Sequence, residues 1–432
     1  KSFLNLLIKL VPLKIMDFSI ADCNMIIKSD STTCGDFFKV IKFEMEHISG
    51  QPGYLGEYYY LNITYETLDG GTASGKYFMK SLPYHDAILT EAVESWGIFR
   101  KEAELYSLLF NKYERDPKKV TKWAPDCFVA RSNMLVMEDL TSTGYQTTSF
   151  QTTLNEQHMK AVFDRLAQMH ASSIHFEINQ LGGKSIGAIY NKDVLFETTF
   201  TSTSGWFVAG LKGIQKIASE RNRYSNDPRK KSIIESQLWS CLERIYTLAE
   251  DTEEFRSVVV HRDLWINNIM FKYDQTDDLC EKPTDCLLID FQLARYLPPC
   301  VDFVCALYLL TNAEHRSQYA DRYVEYYYNS LQNKLALLGL NGPSILSREQ
   351  FEKSLDHYRL LGLVWTGVLH GFVNFPKGML AQLHQEDPET YTRMSMENRD
   401  DFILKYYDSD SFFHDRLDDI VTELLEHLFD FK

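Results

Sequence analysis

The chain has 432 residues, with 45 Lys and Arg against 60 Asp and Glu, so its formal charge is −15 at pH 7. Hydrophobic residues make up 44% of it and only 12 Pro and 21 Gly are present, so it can bury enough apolar surface to offset the entropy lost on folding. Extended disorder is thereby excluded. The acidic balance speaks against nucleic-acid binding, which needs a dense basic surface.

The cysteines and the apolar segments indicate where the protein works. The eight Cys form no C-x-x-C pair and no Cys/His cluster with zinc spacing, which fits a reducing, cytoplasmic environment. No apolar run reaches the roughly 18 to 20 residues of a membrane-spanning helix. The nearest run, Phe3–Met16, is interrupted by polar residues and Pro12. We interpret it as an amphipathic docking segment or as residues upstream of a start at Met16.

The first third of the chain is rich in predicted strands. Runs of β-branched and aromatic residues predict five strands, at 37–45, 58–67, 72–81, 127–130 and 134–137. Gly and Pro clusters at 49–56 and 69–71 predict hairpin turns. Apolar residues at helical spacing predict one helix over 87–112. The order indicates a small antiparallel sheet that carries a single helix.

After Asp139 the pattern becomes mainly helical. Apolar stripes predict helices at 154–176, 233–248, 301–310, 319–338, 351–373 and 413–428. A non-helical island at 258–291 interrupts them, where two apolar strands flank an acidic loop. The prediction is an α+β protein with two lobes: residues 1–139, of which 1–15 are an extra or non-native segment, and a helical lobe over 140–432.

The strongest local motif lies at the start of this island. The apolar strand Val258–Val260 leads into His261-Arg262-Asp263, and Asn268 follows before a second apolar strand. Phosphoryl transfer to an alcohol needs a carboxylate near the acceptor hydroxyl and oxygen ligands for Mg²⁺. Asp263 and Asn268 have the residue types and the spacing for these two roles.

A second carboxylate follows 27 residues after Asp263. Asp290 ends the apolar strand of Leu287-Leu288-Ile289 and precedes Phe291 and Gln292. A carboxylate at the end of a strand could hold the Mg²⁺ that bridges nucleotide phosphates. An Asp-Phe pair is weak evidence alone, but its place after Asp263 and Asn268 predicts a magnesium site made by Asn268 and Asp290.

The N-terminal sheet is expected to supply groups that grip phosphates. Lys80 ends the third strand, and an ion-pair partner should come from the following helix. Glu102 fits that role, although periodicity also allows the other acidic residues of that helix, Glu91, Glu94 and Glu104. The turn with Gly50 and Gly53 lies between the first two strands, where a phosphate-covering loop belongs, but any hairpin favours glycine.

Beyond these groups, the sequence resembles the ecdysteroid kinase-like family, also described as choline-kinase-like kinases of insects and nematodes. The matching stretches are 78–83, the Phe99/Glu102/Tyr106 spacing, 135–140, 166–171, 263–271, 290–295 and Asp302. The Leu-Trp-x-Asn-Asn and Asp-Phe-Gln forms favour this family over protein kinases. The matches run from about Gly50 to about Leu310.

The resemblance implies a two-lobed protein-kinase-like fold and ATP-dependent phosphorylation of a small-molecule hydroxyl. It makes Lys80 the contact to ATP phosphates, Asp263 the catalytic base, and Asn268 and Asp290 the magnesium ligands. It also places Glu138, Asp139 and Leu140 in the hinge beside adenine. Asp302 would support the catalytic loop without reacting.

The resemblance also frames the acceptor. The family's known substrates include ecdysteroid hormones, and a role in detoxifying hydroxylated foreign compounds is proposed. The sequence therefore predicts a cytoplasmic kinase, favoured as a monomer, for an apolar alcohol. A choline-, ethanolamine- or aminoglycoside-type kinase and a catalytically silent ligand-binding module stay open. One departure is Arg262, which stands where the family usually has glycine and leaves the packing of the catalytic loop in question.

Overall fold

The computed structural model describes residues 17–33, 35–48, 55–149, 154–274 and 280–431. The predicted strands near the N-terminus form one antiparallel sheet with the strand order β1-β2-β3-β5-β4. Its strands are β1 (Phe37–His47), β2 (Glu57–Thr67), β3 (Thr72–Ser81), β4 (Cys127–Arg131) and β5 (Met134–Glu138). The five strands that the sequence predicts are therefore confirmed, and this sheet is the centre of the N-terminal lobe.

The two faces of this sheet pack against different helices. Met79 and Val136 face α1 (Ile20–Ser29) and share a core cluster with its residue Ile26. Side chains alternate along a strand, so their neighbours point the other way, and Leu135 belongs to the core on the opposite face. Because Met79 faces α1, the side chain of Lys80 is directed to that opposite face, towards the rest of the molecule.

The single helix predicted over 87–112 is wrong in detail. The structure has two helices there, α2 (Ala87–Trp96) and α3 (Ile98–Leu108), with a short 3₁₀ turn after them. Gly97 separates them with a φ of 68°, a left-handed conformation that ends a helix and favours glycine. Helix α1 was not predicted at all. Ser19 precedes its first residue and forms a capping box with Asp22.

Short strands surround the predicted catalytic island. β7 (Val258–Val260) pairs antiparallel with β10 (Arg295–Leu297). β8 (Ile269–Tyr273) lies between β6 (Tyr145–Thr147) and β9 (Pro283–Leu288). Ile269, which directly follows the loop after β7, pairs with Leu288 at the end of β9. The loops that follow β7 and β9 therefore lie side by side, which brings distant motifs of the sequence together.

The C-terminal lobe is mainly helical. Its helices are α4 (Glu156–Asn179), α5 (Ile186–Tyr190), α6 (Gly205–Glu220), α7 (Pro228–Leu248), α8 (Cys300–Leu310), α9 (Ala313–Leu337), α10 (Gly342–Ile345), α11 (Arg348–Val373), α12 (Met379–Glu386), α13 (Pro388–Met396), α14 (Asp400–Ser409) and α15 (Ser411–Phe429). All six helices predicted from the apolar stripes are present, whereas α5, α6, α10 and α12–α14 were not predicted. Apart from Asp302, helix α8 is apolar on all sides, and it is buried along its whole length, so it forms the centre of this lobe.

The two-lobed kinase-like architecture that the sequence predicts is confirmed, while the boundary after residue 139 stays a prediction. Within the described parts of the chain, no helix has the length and apolar character needed to cross a membrane. The predicted N-terminal segment, residues 1–15, lies outside the described residues.

Replacement of Gly97 by Ala tests the reason for the break between α2 and α3. An added Cβ would lie 3.2 Å from the Phe196 ring, and a non-glycine residue at this φ costs roughly 1–2 kcal/mol. We expect Gly97→Ala to lower the free energy of unfolding by that amount, which is measured as a lower urea midpoint. Gly35→Ala is the matched control, because nothing lies within 4 Å of a Cβ there and its φ is ordinary. Equal midpoints for the two variants would contradict this explanation.

Candidate active site

Lys80 is the centre of a buried ion-pair cluster. Its Nζ lies 2.7 Å from Glu102 Oε2 and 2.9 Å from Asp290 Oδ1. Burial alone would lower the pKa of Lys80, but the carboxylates of Asp290 and Glu102 outweigh it and raise the pKa. The lysine is therefore firmly cationic, as a group that binds phosphate oxygens must be.

Glu102 is the acidic residue of the α2–α3 region that reaches Lys80. Its second oxygen, Oε1, accepts a hydrogen bond of 3.0 Å from the backbone N–H of Phe291. The other candidates face away, since Glu91 and Glu94 are exposed and Glu104 pairs with Arg100. One carboxylate thus joins the sheet, helix α3 and the segment after Asp290.

The backbone at Asp290 is held in an unusual conformation. Asp290 has a φ of 66°, in the left-handed region that non-glycine residues seldom adopt. The next residue, Phe291, is fully buried among the rings of Tyr106, Phe110 and Trp123. Packing of Phe291 and its bond to Glu102 fix the turn, so the Asp290 carboxylate is directed at Lys80 and stays one quarter exposed.

His261 organises the loop after β7. Its Nε2 lies 2.9 Å from the carbonyl oxygen of Ile289, and its Nδ1 accepts a 3.3 Å hydrogen bond from the N–H of Asp263. A carbonyl only accepts, so the proton is on Nε2 and the ring is neutral. Burial lowers the pKa of His261, in agreement with this tautomer. The neutral ring ties the loop of Asp263 to the strand end that carries Asp290.

Asp263 and Asn268 lie in direct contact. The amide Nδ2 of Asn268 donates to both the backbone oxygen and Oδ2 of Asp263, each at 2.9 Å. Burial, followed by the repulsion of the nearby Asp290 carboxylate, raises the pKa of Asp263 to about 7. A carboxylate with a raised pKa is a better proton acceptor than an exposed one. The geometry therefore suits Asp263 for taking the proton of an alcohol.

A buried carboxylate in α8 supports the same loop. Asp302 accepts hydrogen bonds from the backbone N–H groups of His261 at 2.7 Å and Arg262 at 2.6 Å. It also lies 3.0 Å from His170 Nε2, while His170 Nδ1 meets the Tyr327 hydroxyl. Asp302 thus has the supporting position that the family resemblance implies, and His170 is a hydrogen-bonded core residue.

The residues expected beside adenine are engaged through their side chains. Glu138 accepts from Lys122, and the buried Asp139 carboxylate accepts from Thr141 and lies 3.3 Å from Lys76 Nζ. Leu140 packs in a small apolar cluster with strands β8 and β9. Because these side chains are engaged, residues 138–140 could bind adenine only through backbone groups. Their role as a hinge stays a prediction. Gly50 and Gly53 lie outside the described residues.

The donor set fits a magnesium ion. Because Nδ2 of Asn268 is committed to Asp263, its amide oxygen is left for a cation, and Asp290 contributes a partly exposed carboxylate. Hard oxygen ligands of this kind, one or two from the protein and the rest from phosphates and water, are what Mg²⁺ prefers. Asn268 and Asp290 would hold the ion between them. The backbone N–H of Ile289 donates a 3.0 Å hydrogen bond to the backbone carbonyl oxygen of Asn268, which keeps the two ligands together.

Sequence reasoning missed one group beside this site. Glu197 lies between α5 and α6, in a stretch without a motif, and its carboxylate contacts the Arg262 guanidinium. The one available signal was Arg262 itself, because an arginine at a buried loop position needs an acidic partner. No spacing rule indicates which acidic residue supplies it.

The lobes and this cluster of Lys, Glu, Asp and Asn side chains define a protein with the kinase-like fold. The chain belongs to the ecdysteroid kinase-like family, whose model matches residues 51–340. The resemblance seen in the sequence is therefore confirmed. No curated protein sequence matches the chain.

Several solved structures are similar in part. An ethanolamine kinase of Plasmodium vivax is 14% identical, with 76% of each chain covered and a TM-score of 0.36. A GDP complex of aminoglycoside 2'-phosphotransferase-IIIa is 10% identical, covering 95% of this chain and 100% of the other, with a TM-score of 0.36. An AMP-bound spectinomycin phosphotransferase is 12% identical, covering 91% and 96%, with a TM-score of 0.34. These weak likenesses carry no argument about substrates.

Loss of the Glu102 charge tests the ion-pair cluster. In Glu102→Gln the side chain keeps one acceptor oxygen for two donors, Lys80 Nζ and Phe291 N–H. A charged hydrogen bond contributes about 1.5–3 kcal/mol, so we expect the affinity for Mg·ATP to fall by about 10- to 100-fold in calorimetric titration. Glu94→Gln, the same change on an exposed helix position, should bind like the unmodified protein. Equal affinity of Glu102→Gln and its control would contradict the predicted role of this pair.

Proposed function

We propose that the protein is an ATP-dependent kinase that phosphorylates a hydroxyl of an apolar alcohol, such as an ecdysteroid or a hydroxylated foreign compound. The observation that carries this proposal is that two clusters of side chains lie next to each other: Lys80 with Glu102 and Asp290, and Asp263 with Asn268. Hydrogen bonds from Ile289 to Asn268 and from His261 to Ile289 join the two clusters. The cluster of Lys80 suits the nucleotide phosphates, and the cluster of Asp263 suits the hydroxyl of the acceptor. Family membership supports a small-molecule acceptor.

The proposed reaction is in-line transfer of the γ-phosphoryl group. Asp263 accepts the proton of the acceptor hydroxyl as its oxygen bonds to the γ-phosphorus, and the bond to the β-phosphate oxygen breaks to release ADP. Lys80, held by Glu102, neutralises phosphate charge. Mg²⁺ bound by Asn268 and Asp290 would neutralise further charge on the phosphates. Positioning and electrostatics supply most of the rate in such a transfer.

Charged groups of both signs surround Asp263. Arg262 and Arg295, both nearly inaccessible to solvent, lie on one side of the loop, and the ring of Phe200 stacks on the Arg262 guanidinium at 4.2 Å. Glu197 binds both guanidinium groups, and the Asp290 carboxylate lies close to Asp263. The apolar acceptor is therefore proposed from the family resemblance and not from local charge. The alternative, a choline-, ethanolamine- or aminoglycoside-type kinase, would bind its cationic acceptor through carboxylates on the acceptor side.

Two properties accompany this proposal. The described cysteines are unpaired thiols, most of them buried, as expected of a protein that works in the reducing cytoplasm. We further propose a monomer, because both groups of the active site come from a single chain. A detoxifying role would follow if the acceptor range is broad.

Turnover across a panel of alcohols tests the function directly. We expect purified protein with Mg·ATP to phosphorylate an ecdysteroid or a hydroxylated xenobiotic, and not choline or ethanolamine, in a coupled ADP-release assay. Asp263→Asn should lose turnover by at least about 100-fold, since positioned proton transfer contributes about 10²–10⁴-fold. Asp290→Ala should abolish the magnesium-dependent rate while the far-UV circular dichroism spectrum is unchanged.

The other outcomes separate the alternatives. Turnover on choline, ethanolamine or an aminoglycoside would replace the apolar acceptor with a cationic one. ATP binding without turnover on any acceptor would indicate the catalytically silent module. Undiminished activity of Asp290→Ala would overturn the proposed magnesium site.

A further inference from the structure

Residues 261–268, which follow β7 and which we call the catalytic loop, are held by a second carboxylate besides Asp302. Arg262 lies directly before Asp263, and both of its guanidinium Nη atoms are bound to Glu197, Nη2 at 3.0 Å from Oε1. The Arg262 side chain is completely buried and is stacked on Phe200. Asp302 holds the backbone of this loop, and Glu197 holds its side chain.

Arg262 needs such support because its backbone is strained. Its φ is 69°, in the left-handed region where residues with a Cβ are disfavoured. Strained positions persist only where the surroundings over-determine them. Here the N–H donates to Asp302 and the guanidinium binds Glu197, so the loop is fixed from two sides immediately beside the proposed base.

Glu197 is itself rigidly placed. Its Oε1 accepts hydrogen bonds from the backbone N–H groups of Thr198, Thr199 and Phe200 at 2.8–3.0 Å. Burial alone would raise the pKa of Glu197, but Arg262, Arg295 and Lys101 outweigh it and lower the pKa. The carboxylate is therefore ionised, and although 16% of its side chain is exposed it binds the two buried guanidinium groups of Arg262 and Arg295.

The same segment also contacts the helix of Glu102. The carbonyl of Phe196 accepts a 2.8 Å hydrogen bond from Nζ of Lys101, which is fully buried and precedes Glu102 in α3. Arg295 in β10, whose neighbour in the sheet is Val260, donates to Glu197 Oε2 at 3.1 Å. Residues 196–200, which we call the Glu197 segment, thus connect α3, β10 and the catalytic loop.

We propose that Glu197 is a positioning residue, which fixes Arg262 and through it the backbone that presents Asp263 to the acceptor. This inference rests on the proposed kinase function. The contacts of Glu197 are with Arg262, Arg295 and backbone N–H groups, so we place it outside the nucleotide and acceptor sites. Its loss should therefore lower kcat and leave the KM for ATP nearly unchanged, because Lys80, Glu102 and Asp290 keep their contacts.

The first variant is Glu197→Gln, which keeps the shape and removes the charge. We expect kcat per folded molecule to fall by about 100-fold, as a small misplacement of a reacting group can cost, with the KM for ATP within about threefold. The matched control is Asp251→Asn. It makes the same change of carboxylate to amide in Asp251, an exposed residue that also binds Arg295. It should behave like the unmodified protein. An unchanged kcat for Glu197→Gln would overturn the proposal.

A double variant separates positioning from general stabilisation. Arg262→Gly suits the left-handed φ and removes the guanidinium. If Glu197 acts through Arg262, then adding Glu197→Gln to Arg262→Gly should change kcat by less than about threefold, whereas full additivity would overturn the proposal. The double variant lacks the Arg262 guanidinium, and Arg295 keeps its second partner Asp251, so the test stays valid if Glu197→Gln alone does not fold. In that case Arg262→Gly must by itself lower kcat.

Hydrogen exchange gives a readout that does not depend on turnover. Amides of residues 261–268 should exchange faster in Glu197→Gln and in Arg262→Gly than in the unmodified protein, and Asp251→Asn should leave them unchanged. Equal exchange in all four proteins would overturn the proposed role of Glu197. Absence of turnover in the unmodified protein would instead count against the kinase function, and the exchange experiment would still decide whether Glu197 holds the loop.

Discussion

The salt bridges of Lys80 hold the candidate active site together. Strand β3 contributes the lysine, helix α3 contributes Glu102, and the segment after β9 contributes Asp290. Removing charges from water is costly, and the cost is recovered only when geometry and further hydrogen bonds are good. Glu102 meets that condition by binding Phe291 N–H with its second oxygen. This cluster joins the N-terminal sheet and helix α3 to the segment that follows β9.

Two residues with strained backbone conformations lie beside the side chains proposed to act in catalysis. Arg262 and Asp290 both have left-handed φ values, and each is fixed by neighbours whose positions are set elsewhere in the fold. Phe291 is locked among aromatic rings, and Arg262 is held by Asp302 and Glu197. Strain at such places is tolerated because rigid packing supports it. It aims the carboxylates of Asp290 and Asp263 into one space.

The presence of arginine at position 262 is explained by its partners. A glycine would adopt the same backbone conformation without strain, but it could not bind the Glu197 segment. The arginine links the catalytic loop to Glu197, which also receives Arg295, while the carbonyl of Phe196 next to it receives Lys101. This second charged network lies beside the Lys80 cluster and extends the support of the site into the helical lobe.

Local patterns in the sequence determined the five strands of the N-terminal sheet, six of the long helices and the motifs around Lys80, Asp263, Asn268 and Asp290, because periodicity and short spacing are properties of neighbouring residues. Only the tertiary structure decided the rest. It selected Glu102 among the acidic residues of its region, and it placed the apolar face of α1 against the sheet. It also paired Arg262 with Glu197, 65 residues away. These outcomes depend on contacts between distant segments, which no local pattern encodes.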